Sequence, residues 1–258
     1  MIADLTHSPV KKLNDSWLDK PVTPWWPGLT IEKLIIILIL IITVFTRFSD
    51  LGARTMSHDE TNHVSPSYSF ESYIYDPVTH GPFQFHTLAF TYFLFGDSDY
   101  SSRLPYAVFG VAVVVFAIFA WRRYLGRIGS LIAGFLFMIS PYIMFYSRYT
   151  RNEIFIVFWG MVMLWLFLRY LESGEHKWLY WLTFITAMHY VDKATSYIFS
   201  AEALIFLALL FIGESLRNHW KDEKYRRYFQ AALVFVFIAI LLTGGLYVLT
   251  NTPASTAS

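Results

Sequence analysis

The sequence contains no cysteine. This absence excludes disulfide bonds, thiolate zinc sites and cysteine nucleophiles from the chemistry of the chain. Charge is also scarce, because Asp, Glu, Lys and Arg together make up 15% of the 258 residues, whereas soluble domains hold about 25%. The formal net charge of +1 offers no general attraction to nucleic acid, so we expect no nucleic-acid partner.

Apolar residues take the place of the missing charge. They make up 55% of the chain, aromatic residues alone account for 19%, and the mean hydropathy is +0.43. They fall in long runs, and about 20 consecutive apolar residues can cross a bilayer as a helix. The sequence therefore predicts an all-α polytopic membrane protein with about seven transmembrane helices. The predicted spans are Thr30–Phe48, Leu104–Trp121, Ile128–Tyr146, Ile154–Leu168, Trp178–Val191, Ser196–Ile212 and Tyr228–Val248.

Basic residues are distributed unevenly around these spans. Fourteen of the 20 Lys and Arg residues fall on one side, and the positive-inside rule makes that side cytoplasmic. We therefore expect a multi-pass plasma-membrane protein with a cytoplasmic N-terminal tail (1–29) and a transmembrane module (30–250), whose long loop 50–103 is external. Residues 251–258 would form an external tail that a longer protein could continue. The remaining basic residues, on the outer side, are Arg47, Arg54, Arg103, Arg148, Arg151 and Lys193.

The external loop has its own apolar pattern. Residues 65–75 mix aromatic and polar side chains, and residues 83–95 are apolar over a length too short for a full span. Both segments are therefore predicted to be interfacial helices. Arg47, at the outer end of the first span, is expected to snorkel toward water. Pro141, inside the third span, is expected to kink the helix or to help it pack.

The stretch Ser57-His58-Asp59-Glu60-Thr61-Asn62-His63 places two adjacent carboxylates between two histidines. Such a cluster suits acid–base chemistry at a membrane face, although an adjacent Asp-Glu pair can also simply cap and solvate a loop. The two histidines are five residues apart, so they do not share a helix face as in the His-Glu-x-x-His zinc motif. Asp59 with His63, or Asp76 with His80, could instead hold a divalent cation through oxygen and imidazole.

Two further outer segments carry cations. Arg148 and Arg151 precede the fourth span and would share one face if that segment were helical. Lys193 follows the fifth span. Guanidinium groups match phosphate oxygens geometrically, so a base beside these cations would suit transfer of a phosphate-activated group to a hydroxyl. The alternative is that the cations only pair with Glu153 and Asp192.

Three longer runs complete the pattern: His58-Asp59-Glu60, the run Tyr75-Asp76-Pro77-Val78-Thr79-His80-Gly81-Pro82-Phe83, and Phe95-Gly96-Asp97-Ser98-Asp99 with Arg103-Leu104-Pro105. Together with Ser-Arg-x-x-x-x-Glu before the fourth span, they resemble the GT-C membrane glycosyltransferases. That superfamily includes the protein O-mannosyltransferases and the aminoarabinose transferase of lipid A. The runs are most similar to its flippase-activity-associated branch, and the resemblance covers about residues 30–250.

The resemblance implies a GT-C-type module and a specific reaction. A sugar would pass from a polyprenyl-phosphate-linked donor to an acceptor hydroxyl on a protein, lipid or glycan, at the extracytoplasmic face. Asp59 would be the general base, with Glu60 assisting it. The donor phosphate would be bound by Arg148, Arg151 and Lys193. The residues expected to support this site are His58, His63, Asp76, His80 and Glu153.

The resemblance leaves two matters open. It implies no cofactor and no assigned metal ligand, although a divalent cation could take part. A function of a different class would use the same phosphate-binding residues without catalysis. The chain would then be an accessory protein in the translocation of lipid-linked sugars.

Overall fold

The computed structural model describes residues 16–74, 80–217, 220 and 222–251. Within these ranges the chain is helical, with two short 3₁₀ helices at Trp17–Asp19 and Phe70–Ser72, and its one β-bridge joins Pro21 to Thr30. The α-helices are α1 (Ile31–Phe48), α2 (His58–Tyr68), α3 (Pro82–Phe95), α4 (Asp99–Phe119), α5 (Arg122–Ile139), α6 (Pro141–Tyr146), α7 (Glu153–Ser173), α8 (His176–Asp192), α9 (Ser196–Arg217) and α10 (Glu223–Asn251).

Three of the described helices, α4, α7 and α9, are long and apolar enough to cross a membrane. They support the predicted class of all-helical membrane protein. Helix α1 has 18 residues, but it carries Glu32 and Lys33 in its first turn and Arg47 in its last. The expected total of seven spans stays a prediction, as does the direction in which the N-terminus faces.

The chain divides into two compact units, Met1–Ala201 and Glu202–Ser258. In the first unit, α4 packs against α1, α3, α5 and α7, and α7 packs against α8. Its largest apolar cluster is built on aromatic contacts, such as the stack of Tyr106 on Phe155 at 4.7 Å between ring centroids. In the second unit, Phe229 contacts Phe211 and Trp220.

Pro141 breaks the predicted third span into α5 and α6, as expected of a kink. The backbone turns at Ser140, whose ψ is 121°. Because proline has no N–H, the carbonyl of Phe137 cannot accept its usual helical hydrogen bond. Arg47 supplies the missing donors: its guanidinium bonds the carbonyls of Phe137 at 3.0 Å and Met138 at 2.8 Å. Arg47 is fully buried, so the expectation that it snorkels to water was wrong.

The first helix of the loop predicted to be external begins at a lower residue number than expected. An interfacial helix was expected over residues 65–75, but α2 occupies His58–Tyr68 and a 3₁₀ turn follows at Phe70–Ser72. Residue 75, the end of that prediction, lies outside the described residues. The second predicted helix, over 83–95, agrees with α3. The error has a local cause, the helix-start signal at Ser57, which is described with the site below.

We expect Arg47→Met to destabilise the protein by about 2–4 kcal/mol, because two buried carbonyls lose a charged donor. Arg123→Met, which changes an exposed arginine, is the matched control and should cost less than about 0.5 kcal/mol. Denaturant titration of the purified protein in detergent micelles measures both. An equal loss in the two variants would show that Arg47 does not hold the break between α5 and α6.

Candidate functional site

Helix α2 is started by a capping box at Ser57. The Ser57 hydroxyl accepts a hydrogen bond from the backbone N–H of Glu60 at 3.4 Å, and a Glu60 carboxylate oxygen accepts one from the backbone N–H of Ser57 at 3.1 Å. This reciprocal pair is the Ser-x-x-Glu signature of a helix start. The signal is present in the sequence as Ser57-His58-Asp59-Glu60. In the sequence analysis the two carboxylates were interpreted as an acid–base pair and not as part of a helix start.

Glu60 is fully buried and accepts hydrogen bonds from four different segments. Arg103 donates to both of its carboxylate oxygens, at 2.8 and 3.1 Å. Arg54 donates at 2.8 Å, and the backbone N–H of Thr150 donates at 3.2 Å. The remaining N–H groups of Arg103 reach the carbonyls of Leu51 and Arg54. Glu60 therefore joins the start of α2 to α4 and to the turn before α7.

These contacts decide the charge state of Glu60. Burial alone would raise the pKa of its carboxyl, but the hydrogen bonds from Arg103 and from the backbone of Ser57 and Thr150 outweigh burial and hold the pKa below its ordinary value. A carboxylate whose oxygens are occupied in this way is a poor proton acceptor for a substrate. Its contacts position α2, whereas the predicted role of assisting Asp59 in catalysis stays a prediction.

Asp59, the next residue back, has a different environment. Its side chain is about half exposed and bonds Arg151 at 3.0 Å. Arg151 also lies 3.1 Å from Glu153, whose same oxygen accepts a hydrogen bond from Lys193 at 2.9 Å. We call Asp59, Arg151, Glu153 and Lys193 the charged cluster. It brings together three segments that are far apart in sequence, around an accessible carboxylate.

His63 and His80 lie beside the charged cluster, with ring centroids 4.8 Å apart. The pKa of His63 is lowered to about 4, first by burial and then by the neighbouring His80 and Arg151, against the opposite effect of Glu153 and Asp59. The pKa of His80 is also lowered, first by burial and then by Lys193. Both rings are therefore neutral near pH 7.

Two other predicted supporting residues are His58 and Asp76. His58 is exposed on the first turn of α2. Asp76 lies outside the described residues, so its pairing with His80 stays a prediction. In the described part of the chain, no group of three or more His, Asp or Glu residues could hold a metal ion. The suggested divalent cation therefore remains a prediction.

The end of α8 contacts the residues next to the charged cluster. The backbone N–H of Gly81 bonds the carbonyl of Asp192 at 2.9 Å, and a side chain at position 81 would collide with the carbonyl of Val191. The Asn152 amide donates to the same Asp192 carbonyl at 3.0 Å and to its carboxylate at 2.6 Å. Asp192 is thus bound to Asn152 and not to Lys193, which turns toward Glu153.

Arg148 and Arg151 do not form one pair. Residues 147–152 form turns, so the condition that the two arginines share a helix face is not met. Arg148 donates to the carbonyls of Thr46 at 2.5 Å and Asp50 at 3.3 Å, at the end of α1. The structure therefore brings Arg151 to Asp59 and Lys193 to Glu153 beside Arg151, and it directs Arg148 elsewhere.

Sequence reasoning did not assign site roles to Arg103, Asn152 and Gly81. Arg103 is one of the few basic residues predicted to be external, and its burial follows from partners 43 and more residues away. No local pattern contains those partners. For Gly81, the turn-rich run around it was the available signal, but the close approach to α8 depends on the tertiary fold.

Comparison with known proteins decides the class. The family of dolichyl-phosphate-mannose-protein mannosyltransferases matches residues 79–247, which is more than half of the chain. The chain belongs to this family. No curated protein and no solved structure matches it. The predicted GT-C relationship is thus confirmed, and membership indicates a membrane glycosyltransferase of the mannosyltransferase type, with a lipid-linked sugar as donor.

The matched region includes only part of the site. Arg103, Arg151, Glu153 and Lys193 fall within it, whereas α2, with Asp59 and Glu60, precedes it. The structure joins the two parts through the contacts of Arg103 with Glu60 and of Arg151 with Asp59. The narrower resemblance to the flippase-activity-associated branch stays a prediction.

We expect Glu60→Gln to destabilise the protein by about 3–5 kcal/mol, because it leaves the buried guanidinium of Arg103 without its carboxylate. Asp59→Asn, at the adjacent position, is the control. It breaks only a partly exposed ion pair and should cost about 0–1 kcal/mol. Denaturant titration in detergent compares the two. Equal free energies of unfolding would mean that Glu60 does not hold α2 in place.

Acidification should weaken the fold through His63. Because its folded pKa lies below the ordinary 6.5, the unfolded chain binds more protons between pH 6.5 and 4, and stability falls as the pH falls. We expect His63 to account for a loss of about 2 kcal/mol between pH 7 and pH 5. The stabilisation by Glu60 is lost only at lower pH, below its ordinary 4.5.

Chemical denaturation at pH 7 and pH 5 measures this loss. His63→Gln should make stability less sensitive to pH, whereas His86→Gln, which changes an exposed histidine on α3, should behave as wild type. The same pH sensitivity in His63→Gln and wild type would exclude His63 as the group responsible.

Proposed function

We propose that this membrane glycosyltransferase transfers a sugar from a polyprenyl-phosphate-linked donor to an acceptor hydroxyl at the extracytoplasmic face. The observation that carries this proposal is the environment of Asp59. It is the accessible carboxylate of the charged cluster, and two cations, Arg151 and Lys193, lie in the same cluster. A proton acceptor beside phosphate-binding cations is the combination that such a transfer requires.

Asp59, Arg151 and Lys193 have different roles in the proposed reaction. Asp59 accepts the proton of the acceptor hydroxyl while the oxygen forms a bond to the anomeric carbon of the sugar. The bond from that carbon to the phosphate oxygen breaks, and its electron pair leaves with the lipid phosphate. Arg151 and Lys193 stabilise the negative charge on the departing phosphate. Attack from the side opposite the phosphate inverts the anomeric configuration.

Arg151 links donor binding to the activity of Asp59. Before donor binds, the guanidinium of Arg151 is occupied by Asp59 at 3.0 Å and by Glu153 at 3.1 Å. A donor phosphate offers more negative charge and a better match to the guanidinium fork than one exposed carboxylate. Donor binding then moves Arg151 from Asp59 to the phosphate. The carboxylate is released as a base only when there is a sugar to transfer.

The surrounding residues keep this arrangement in place. Glu60 positions α2 through Arg103, and Glu153 holds Lys193 beside Arg151. His63 and His80 are neutral near pH 7, so they fill space beside Asp59 without competing for the donor phosphate.

Asp59→Asn should lower the rate of transfer by about 10²–10⁴-fold, because it removes a positioned base and keeps the side-chain shape. Donor affinity should be unchanged or up to about fivefold tighter, because Arg151 loses an exposed ion-pair partner. Asp97→Asn, on the exposed turn between α3 and α4, is the control and should transfer at the wild-type rate. Transfer is measured with a purified polyprenyl-phosphate sugar, with and without a divalent cation.

The two readouts separate the enzyme from the accessory protein. Donor binding without transfer, in wild type and in Asp59→Asn alike, would favour the accessory role in translocation. A wild-type rate of transfer by Asp59→Asn would show that another group is the base.

A further inference from the structure

A cleft of about 450 Å³ opens beside the outer end of α1, between the loop that follows this helix and α6. It is distinct from the charged cluster. Arg148, which the sequence analysis had grouped with Arg151, lies in this cleft. The side chains that line the cleft and carry the argument below are Leu51, Arg54, Pro141, Met144, Phe145 and Arg148.

Positive charge is in excess around the cleft. Arg54, Arg103 and Arg148 line it, and the buried Arg47 lies behind Arg148. Arg54 and Arg103 share one carboxylate, that of Glu60.

Two of these four arginines have no carboxylate partner. Arg47 and Arg148 donate only to neutral oxygens, and neither forms an ion pair with any residue in the described ranges. Asp50, the carboxylate in the lining, likewise pairs with no described residue. An unneutralised cation near a membrane is costly, and a bound anion would offset that cost.

The opposite wall of the cleft is apolar. Leu51, Pro141, Met144 and Phe145 form it, and Phe145 is 49% exposed. Apolar surface continues outside the cleft, where Phe45 on α1 is 68% exposed and Tyr142 on α6 is 53% exposed. A ligand that fits both walls has an anionic head group and a hydrocarbon chain.

We propose that this cleft binds the phosphate group of a membrane lipid, with Arg148 and Arg54 on the phosphate and the hydrocarbon chain along Met144 and Phe145. The binding site is separate from the donor phosphate site of the charged cluster. Arg54 connects the two sites, because it donates to Glu60 and its guanidinium lies 5.2 Å from the centre of the Tyr149 ring, whose hydroxyl bonds Ser57. An occupied cleft therefore steadies the residue that starts α2.

Lipid binding to the purified full chain, stripped of lipid in a nonionic detergent, tests this proposal by native mass spectrometry. The probes are phosphatidylglycerol, a polyprenyl monophosphate, phosphatidylcholine and inorganic phosphate. Arg148→Gln keeps donors for the carbonyl of Thr46 but removes the charge, so binding of the two anionic lipids should weaken about tenfold or more. Arg148→Lys should retain most of the binding, and Arg123→Ala should retain all of it.

Met144→Glu gives an independent test, because it places a carboxylate in the cleft without removing an arginine. It should also abolish binding of the anionic lipids, and a wild-type melting temperature shows that the variant is folded. Retention of phosphatidylglycerol identifies a bulk phospholipid as the occupant. Retention of the polyprenyl phosphate alone, in an amount that Arg148→Gln lowers, identifies an isoprenoid lipid in the cleft. Equal binding of phosphatidylcholine, binding of inorganic phosphate alone, or unchanged lipid binding in Arg148→Gln and Met144→Glu would overturn the proposal.

The outcome is independent of the proposed catalysis. Asp59→Asn should bind the lipid in the cleft as wild type does, whatever its rate of transfer. Loss of transfer with the lipid still bound therefore tests the role of Asp59 as the base. Loss of bound lipid in Arg148→Gln tests the proposal that the cleft binds lipid.

Discussion

The contact between Glu60 and Arg103 is the constraint on which the arrangement of the loop 49–57, α2, α4 and the turn before α7 depends. Both side chains are buried, and together they tie the loop after α1, the start of α2, the start of α4 and the turn before α7. A buried ion pair is not in itself a strong source of stability, because both charges lose their hydration. Its value here is specificity: because all three guanidinium nitrogens of Arg103 are bonded, these segments have one arrangement that satisfies them.

Two proposed functional surfaces are connected to this pair. In one the charged cluster holds Asp59 in contact with Arg151, and in the other the arginine-lined cleft meets an apolar wall. Neither surface needs Glu60 to touch a ligand. The two adjacent carboxylates therefore differ in their environment. Glu60 is buried and its oxygens are occupied by hydrogen bonds, whereas Asp59 is half exposed and accessible.

The sequence was sufficient for the class, the family and the approximate position of most helices, because these depend on long apolar runs and on short motifs. It also suggested a kink or a packing role for Pro141. It grouped Asp59, Arg151, Glu153 and Lys193 in one candidate site, together with Glu60 and Arg148. The sequence was insufficient to predict the position of a side chain whose hydrogen-bond partners are distant in the sequence. The carbonyls that bury Arg47 lie about 90 residues further on, and the turn that separates Arg148 from Arg151 is set by contacts with α1 and α2. The start of α2 is the exception, since its capping signal is local.

The number of segments that meet at Glu60 has a consequence for synthesis. Its partners are supplied at positions 54, 57, 103 and 150, so the last one is made 90 residues after Glu60 itself. A nascent chain shorter than this exposes Asp59 on a segment that nothing yet fixes. The site is therefore assembled late, once α4, which carries Arg103, and the turn before α7, which carries Thr150, have been made, and an incomplete chain cannot hold α2 in this position.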